Sequence, residues 1–323
     1  MANSDVQAGE WTISAEQTEK TVSRLLKESM EDVSWNRLRK LISVRRISVN
    51  GQLCLDETRR LVADDVLRVH QESLPVPPDD EAVQIIKMDD SIVVINKPPR
   101  MVSLRHHAEM NWPPQKRRAQ PSADEVVLRA VGRNLRERRD PSTLPAKQRR
   151  AFVRSVHRLD RDASGLLVFA RTLEAEQALI QQFSTHSVER IYQAITEGSP
   201  PAGTITSRLV RDRGDGTRGS TNDPDDGKLA TTHFRPIEQI GRASLVECQL
   251  ETGRTHQIRI HLAESGHPIC GDSIYTGPYT PSVETTKTTE STASDQPADG
   301  PRAPRLALHA CRLAFEHPST GER

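Results

Sequence analysis

Apolar positions along the chain follow two periods. From Thr21 to Lys27, Val22, Leu25 and Leu26 recur at helical spacing. From Trp35 to Ile42, Trp35, Leu38, Leu41 and Ile42 do the same behind Ser34, a good N-cap. ISVNGQLCL and DDVLRV then alternate with period two. Asn50-Gly51 supplies a tight hairpin turn, because both central residues accept positive φ. Farther on, SIVVIN and GLLVFA read as buried strands, and ASLVECQL and LALHA as alternating ones. SADEVVLRAVGRNLRER reads as a helix, with Ser122 as N-cap and Glu125 three positions on. After Gly253 a further helix is expected behind Thr255. It would place Gln257, His261 and Glu264 on one side and Ile258 and Leu262 on another.

This pattern divides the chain into a flexible leader (1–17), a small module (18–72), a Pro-rich linker (73–80) and a large domain (81–323). Two stretches interrupt the large domain. Residues 105–150 are polar and basic. Residues 277–304 are rich in Thr, Ser, Pro and Asp, too poor in apolar side chains to pack, and read as a disordered or surface loop. No run of about 18 apolar residues is present, so no membrane span is expected. MANSDVQAGEW lacks the apolar core of a signal peptide. Cys54, Cys248, Cys270 and Cys311 form no CxxC pair, which points to a reducing, cytoplasmic setting without disulfides.

Charge changes the picture only through its distribution. Lys and Arg number 45 against 44 Asp and Glu, a net charge of +1 that says nothing about nucleic acid. Yet Arg133, Arg136, Arg138, Arg139, Arg149 and Arg150 crowd one stretch. Arg37, Arg39, Lys40, Arg45 and Arg46 line the second helix and its exit. Such a face can lie along a phosphate backbone; the plain alternative is a solvated basic helix.

Candidate chemistry lies in three segments. In VHRLDRDASGLLVFART, Asp160 stands at a strand mouth beside His157, Arg158 and Arg161. It is either a structural ion-pair partner or a nucleophile or general base flanked by cations. In LETGRTHQIRIHLAESGHPICGD, Arg254 and Arg259 are close enough to serve one anionic site, or else are surface residues. His256 and His261 lack i, i+4 spacing and a third ligand, so no zinc site is expected. Lys97, in INKPP, ends a strand, a common place for phosphate contacts.

Together these segments resemble the RluA-type family of RNA pseudouridine synthases. HRLDRDASGLLVFA resembles its HRLD motif, ETGRTHQIRIHLAESGHPICGD its TGR-T/S-HQ motif, INKPP its NKP strand and LALHACRLAFEHP its LALHA segment, in the right order across 81–323. Residues 18–70, through SWNRLRKLISVRRISVNG, resemble the αL-type RNA-binding domain of a small-subunit ribosomal protein. The resemblance implies an α+β fold: a mixed, largely antiparallel sheet with flanking helices, plus a small N-terminal α/β RNA-binding domain. It implies Asp160 as the catalytic carboxylate, Arg259 as its partner and Tyr192 as the residue against the target uracil. It further implies Arg158 in the place of a flipped-out base and Ile258 and Leu308 lining the pocket. His157, Arg254 and Lys97 are expected as further substrate contacts. The implied reaction moves uracil from a nitrogen to a carbon linkage without net redox or hydrolysis. No cofactor and no metal are therefore expected; the partner is RNA, ribosomal large-subunit RNA before transfer RNA. A noncatalytic RNA-binding or ribosome-assembly protein, or a glycosidase releasing uracil, would be the competing classes. Three positions depart from the family pattern: Arg100 replaces its usual Gly, Ser103-Leu104 its His, and Arg190 its Lys before the tyrosine.

Overall fold

The computed structural model describes residues 8–30, 32–105, 109–137, 151–214, 216–278 and 303–323. These form two compact units, one from the described parts of 1–77 and 106–119, the other from 78–105 and 120–323.

The first unit carries strand β1 (Gly9–Thr12), helices α1 (Val22–Ser29) and α2 (Trp35–Ser43), and strands β2 (Ile47–Val49), β3 (Gln52–Leu53) and β4 (Val66–Val69). Thr21 and Ser34 cap the two helices by accepting the backbone N–H of Arg24 and Arg37. Val22, Leu25, Leu26, Leu38, Leu41 and Ile42 face a core completed by Ile47, Val49, Leu67 and Val69. Trp35 leaves that stripe and is exposed. Asn50 (φ 53) and Gly51 (φ 70) turn the hairpin in the expected left-handed backbone. The expected leader is corrected from residue 9 onward: β1 pairs antiparallel with β4, and Ile13 is buried, because GEWTI alternates like a strand. Residues 1–7 lie outside the described residues. Part of the expected basic insertion also joins this unit through helix α3 (Pro114–Ala119). Buried Trp112 donates Nε1–H to Asp56 (2.9 Å), and Lys116 pairs with the same carboxylate at 2.7 Å. The linker is anchored at Leu74, which exchanges hydrogen bonds with Arg45.

The second unit is built on one sheet. Its elements in chain order are β5 (Gln84–Met88), β6 (Ile92–Lys97), α4 (Ala123–Glu137), β7 (Arg154–Ser155), β8 (Ser164–Ala170), α5 (Leu173–Ser184), β9 (Glu189–Glu197), β10 (Gly203–Val210), β11 (Gly219–Thr221), β12 (Lys228–Ile240), β13 (Ala243–Leu250), α6 (Gln257–Glu264) and β14 (Leu308–Ala314). The sheet order is β11-β10-β12-β13-β9-β14-β8-β6-β5, with β7 beside β8. Every pairing is antiparallel except β14 with β8. The expected mixed, largely antiparallel α+β architecture is present. The parallel pairing brings two backbones so close that a Cβ on Gly165 would stand 2.3 Å from Ala310 O, which explains Gly in the Ser-Gly step.

α4 is no solvated basic insertion: Val126, Val127, Val131 and Leu135 pack into the main core. Its Glu125, expected to complete a capping box, instead forks with buried Arg105 at 2.9 and 2.8 Å. Residues 138–150, with the remaining Arg cluster, and most of the expected loop 277–304 lie outside the described residues. α6 is buried from Gln257 to Ala263, so its expected two-sided character is corrected. His261 bonds Thr232 and Ser207, and Glu264 accepts from Ser220. Thr255 does not cap it; His256 stands at the N-cap in left-handed backbone, without a side-chain cap. No helix among the described residues is long and apolar enough to cross a membrane.

Candidate active site

Asp160 sits in the loop between β7 and β8, and that loop is pinned from below. Buried Ser103 donates Oγ–H to Leu159 O (2.7 Å) and accepts Leu159 N–H (3.0 Å). Lys97 extends from the end of β6 beneath the same loop. Its ammonium donates to Arg161 O (3.1 Å) and Ala163 O (2.7 Å), and also to Pro98 O (2.9 Å) and Met101 O (2.8 Å). Lys97 is wholly buried, so the expected phosphate contact is corrected: its charge is spent on backbone carbonyls. Burial pulls its pKa down to about 7 against the pull of Asp162 and Asp160.

The carboxylate of Asp160 meets Arg259 of α6, whose Nη1 donates to Oδ2 at 3.3 Å. The rest of the guanidinium is committed elsewhere. Nε and Nη2 fork onto Asp272 at 2.7 and 2.8 Å. Asp272 also accepts the backbone N–H of Ile274 and Tyr275. Burial lowers the Arg259 pKa, but Asp272 and then Asp160 more than reverse this, so it is raised. Arg259 therefore has one edge fixed by a buried carboxylate and one corner left for Asp160.

Tyr192 points from β9 into the same space and is mostly buried; burial pushes its phenol up to about 12, opposed by Arg190. Arg190, two positions earlier on the same face, donates to Glu251 O (2.7 Å) and lies over Phe183. Its Nη1 lies 2.6 Å from where a Cβ on Gly253 would stand, so the guanidinium occupies the space left by that glycine. A cleft of about 430 Å³ is lined by His157, Arg158, Asp160, Tyr192, Arg254, Ile258, Arg259 and Leu308. Every expected residue of the large-domain site except Lys97 therefore meets there.

His157 belongs to the wall rather than to the open space. Its ring stacks on Phe183 (centroids 4.6 Å apart), and Nε2 accepts Val168 N–H at 3.1 Å. Burial, then Arg190, lowers its pKa to about 3, so it stays neutral and holds the loop to β8. Arg158 is exposed at the cleft. Arg254 donates Nε–H to Leu229 O. In the first unit, Arg46 is buried and bonds His70 O, Arg45 bonds Leu74 O, and Arg39 pairs with Glu57 at 3.0 Å. Arg46 is thus corrected from a surface contact to an internal one, while Arg39 and Lys40 remain exposed.

Sequence reasoning missed Asp272, Tyr275, Ser103 and the placement of His256. Asp272 closes the GHPICGD segment, but a single acid beyond a helix carries no signal of the arginine it meets. Among the described residues no group of three or more His, Cys, Asp or Glu is placed to hold a metal ion.

The sequence profile described as RNA pseudouridylate synthase matches residues 91–264, more than half the chain. "Ribosomal large subunit pseudouridine synthase D" of Neisseria meningitidis is 33% identical over 302 residues, covering 92% of this chain and 72% of that protein. The Salmonella typhimurium protein of the same name is 31% identical over 314 residues, covering 96% and 87%. An uncharacterized RNA pseudouridine synthase of Synechocystis is 33% identical over 308 residues, covering 93% and 83%. With the profile lying across the Asp160 loop, Tyr192 and α6, and with such relatives matched over most of their length, the chain belongs to the RNA pseudouridylate synthase family.

Proposed function

We propose that this isomerase converts uridines of large-subunit ribosomal RNA to pseudouridine, with Asp160 as the reacting carboxylate. The observation that carries the reading is the convergence of Asp160, Arg259 and Tyr192 on one cleft. Its volume of about 430 Å³ lies within the usual range for small-ligand pockets. The names of the relatives support ribosomal RNA as the substrate class.

In this reading a target uridine leaves its stack, at a cost of a few kcal/mol, and exposed Arg158 fills part of the vacancy with its flat guanidinium. The uracil lies against Tyr192, with Ile258 and Leu308 completing an apolar wall. Asp160 acts at the ribose while the N1–C1′ bond breaks, the base turns, and C5 bonds to C1′. The C5 proton must then leave and N1 must take one up, so that product and substrate are isomers. Because burial keeps the Tyr192 phenol protonated at neutral pH, it serves as a stacking face and hydrogen-bond partner rather than as a standing phenolate. Arg259 fixes the direction of the carboxylate. The first unit, through Arg37, Arg39 and Lys40 on α2, adds phosphate contacts to the RNA footprint.

The test is Asp160→Asn, assayed on unmodified large-subunit ribosomal RNA transcribed in vitro, with pseudouridine measured in nucleoside digests. RNA affinity should persist and pseudouridine should disappear. Pseudouridine at the level of the unaltered protein would refute the role of Asp160. Free uracil as the product would replace isomerisation by hydrolysis.

A further inference from the structure

Asp160 has two carboxylate oxygens, and Arg259 bonds only Oδ2. The other, Oδ1, faces His256 Nε2 at 4.0 Å. His256 is held there by a left-handed backbone, φ 59 and ψ 17, at the N-cap of α6, a region that few residues other than Gly occupy. Its second ring nitrogen, Nδ1, lies 2.9 Å from Tyr275 Oη. Tyr275 is itself fully buried, with its ring under the Arg259 guanidinium and its backbone N–H on Asp272.

Burial pushes the Tyr275 phenol up, so it keeps its proton. Burial also takes His256 down to about 4, with Asp160 opposing, so the ring is neutral and carries a single N–H. Two tautomers are then available. With the proton on Nδ1, the lone pair of Nε2 faces the carboxylate, which is repulsive. With Tyr275 O–H donating to Nδ1, the Nε2–H dipole points at Oδ1, which is attractive. Electrostatics selects the second.

We propose that Tyr275 and His256 form a second orienting arm for Asp160. Tyr275 fixes the tautomer, and His256 acts as a positioning residue whose Nε2–H closes onto Oδ1 when the target nucleotide fills the cleft. Donor contacts in such sites tighten on substrate binding. Held through both oxygens, the carboxylate cannot spin about its Cβ–Cγ bond, and its remaining lone pairs keep one direction. The proposal rests on Asp160 being the reacting group.

The experiment compares His256→Leu, His256→Gln, Tyr275→Phe and the Tyr275→Phe/His256→Gln pair. Each is assayed under single and multiple turnover on the same ribosomal RNA transcript, with RNA affinity measured in parallel. His256→Leu should lower kcat by about 10- to 100-fold, the usual weight of a hydrogen bond to a charged group, with KM unchanged. His256→Gln, which keeps a terminal N–H donor, should recover most of the loss. Tyr275→Phe should cost about 3- to 10-fold alone but nothing in the His256→Gln background, because Gln has no tautomer to set. A His256→Leu variant with unaltered kcat, or an equal Tyr275→Phe loss in both backgrounds, overturns the proposal. Nitrogen-15 resonances of His256 in the unaltered chain give a check independent of any variant: protonated Nε2 supports it, and protonated Nδ1 overturns it. If the unaltered protein forms no pseudouridine, the reading of Asp160 fails as well, an outcome distinct from active protein with silent variants.

Discussion

Replacing Lys97 with Met asks whether the end of β6 carries a buried structural cation or a contact for RNA. Lys97 is wholly buried, and its pKa falls from 10.5 to about 7. Between those values the unfolded chain holds a proton that the folded chain lacks, so stability rises with pH across that window. Below about 7 both states are protonated and the contribution is flat. Each pH unit inside the window is worth about 1.4 kcal/mol at most. From pH 7 to 9 the unaltered protein should therefore gain on the order of 2 kcal/mol relative to Lys97→Met, in which this titration is absent. Groups common to both proteins cancel in the difference. The substitution also strips the donor from four carbonyls, and each such group left unsatisfied costs about 1–3 kcal/mol. Lys97→Met should thus be the less stable protein at pH 7 and increasingly so at pH 9. Urea unfolding of the two proteins at pH 7, 8 and 9 measures this. A difference constant across pH would refute the titration argument, and would mean that the four carbonyl dipoles keep the ammonium charged. A lowered affinity for RNA in a variant of unchanged stability would refute the structural reading altogether.

Two further outcomes follow from the same geometry. Asp272→Asn breaks one side of a buried fork, so it should destabilise the larger unit by roughly 3–5 kcal/mol and lower the melting temperature by roughly 6–20 °C. It should also lower kcat in the surviving folded protein, because Arg259 loses the edge that fixes it; an unchanged melting curve would count against the fork. Tyr192→Leu should cost more activity than Tyr192→Phe by about tenfold, since stacking on a base is worth about 1–3 kcal/mol and only Phe retains it. Equal losses would remove the stacking role.

Much of the fold was legible because burial imposes a period. SIVVIN, GLLVFA and ASLVECQL read as strands from their short apolar or alternating runs, and the two capped helices of the first unit read directly from Ser34 and from the spacing of Val22, Leu25 and Leu26. What failed was whatever depended on a partner distant in sequence. Lys97 reads as a surface cation until the Arg161 and Ala163 carbonyls are placed above it. The basic look of residues 105–150 hid that Arg105 and Glu125 neutralise each other in a buried fork and that α4 supplies five residues to the main core. Arg46 reads like Arg39, yet one is buried and the other exposed. Charged side chains carry no mark of which carbonyl or carboxylate they will meet, whereas apolar ones need only a face.

Two of the three departures from the family pattern, Arg100 and Ser103, lie close to the Asp160 loop. Arg100 stands at φ 66, a backbone region in which Gly is the easier residue. The strain is tolerated because Lys97 ties the carbonyls of Pro98 and Met101 on either side, and Arg100 adds its own bond to Pro304 O. Ser103, in place of the usual His, exchanges two hydrogen bonds with Leu159, next to Asp160. These two departures lie near the underside of the Asp160 loop, where the side chains of Lys97 and Ser103 grip the loop's backbone carbonyls and amide, whereas the third, Arg190, lies in the cleft wall. On the upper side, Asp272, Arg259, His256 and Tyr275 hold by side-chain geometry, with less freedom to change. A loop gripped from below through its backbone leaves the Asp160 carboxylate uncommitted on that side, and the chemistry is left to the face that meets RNA.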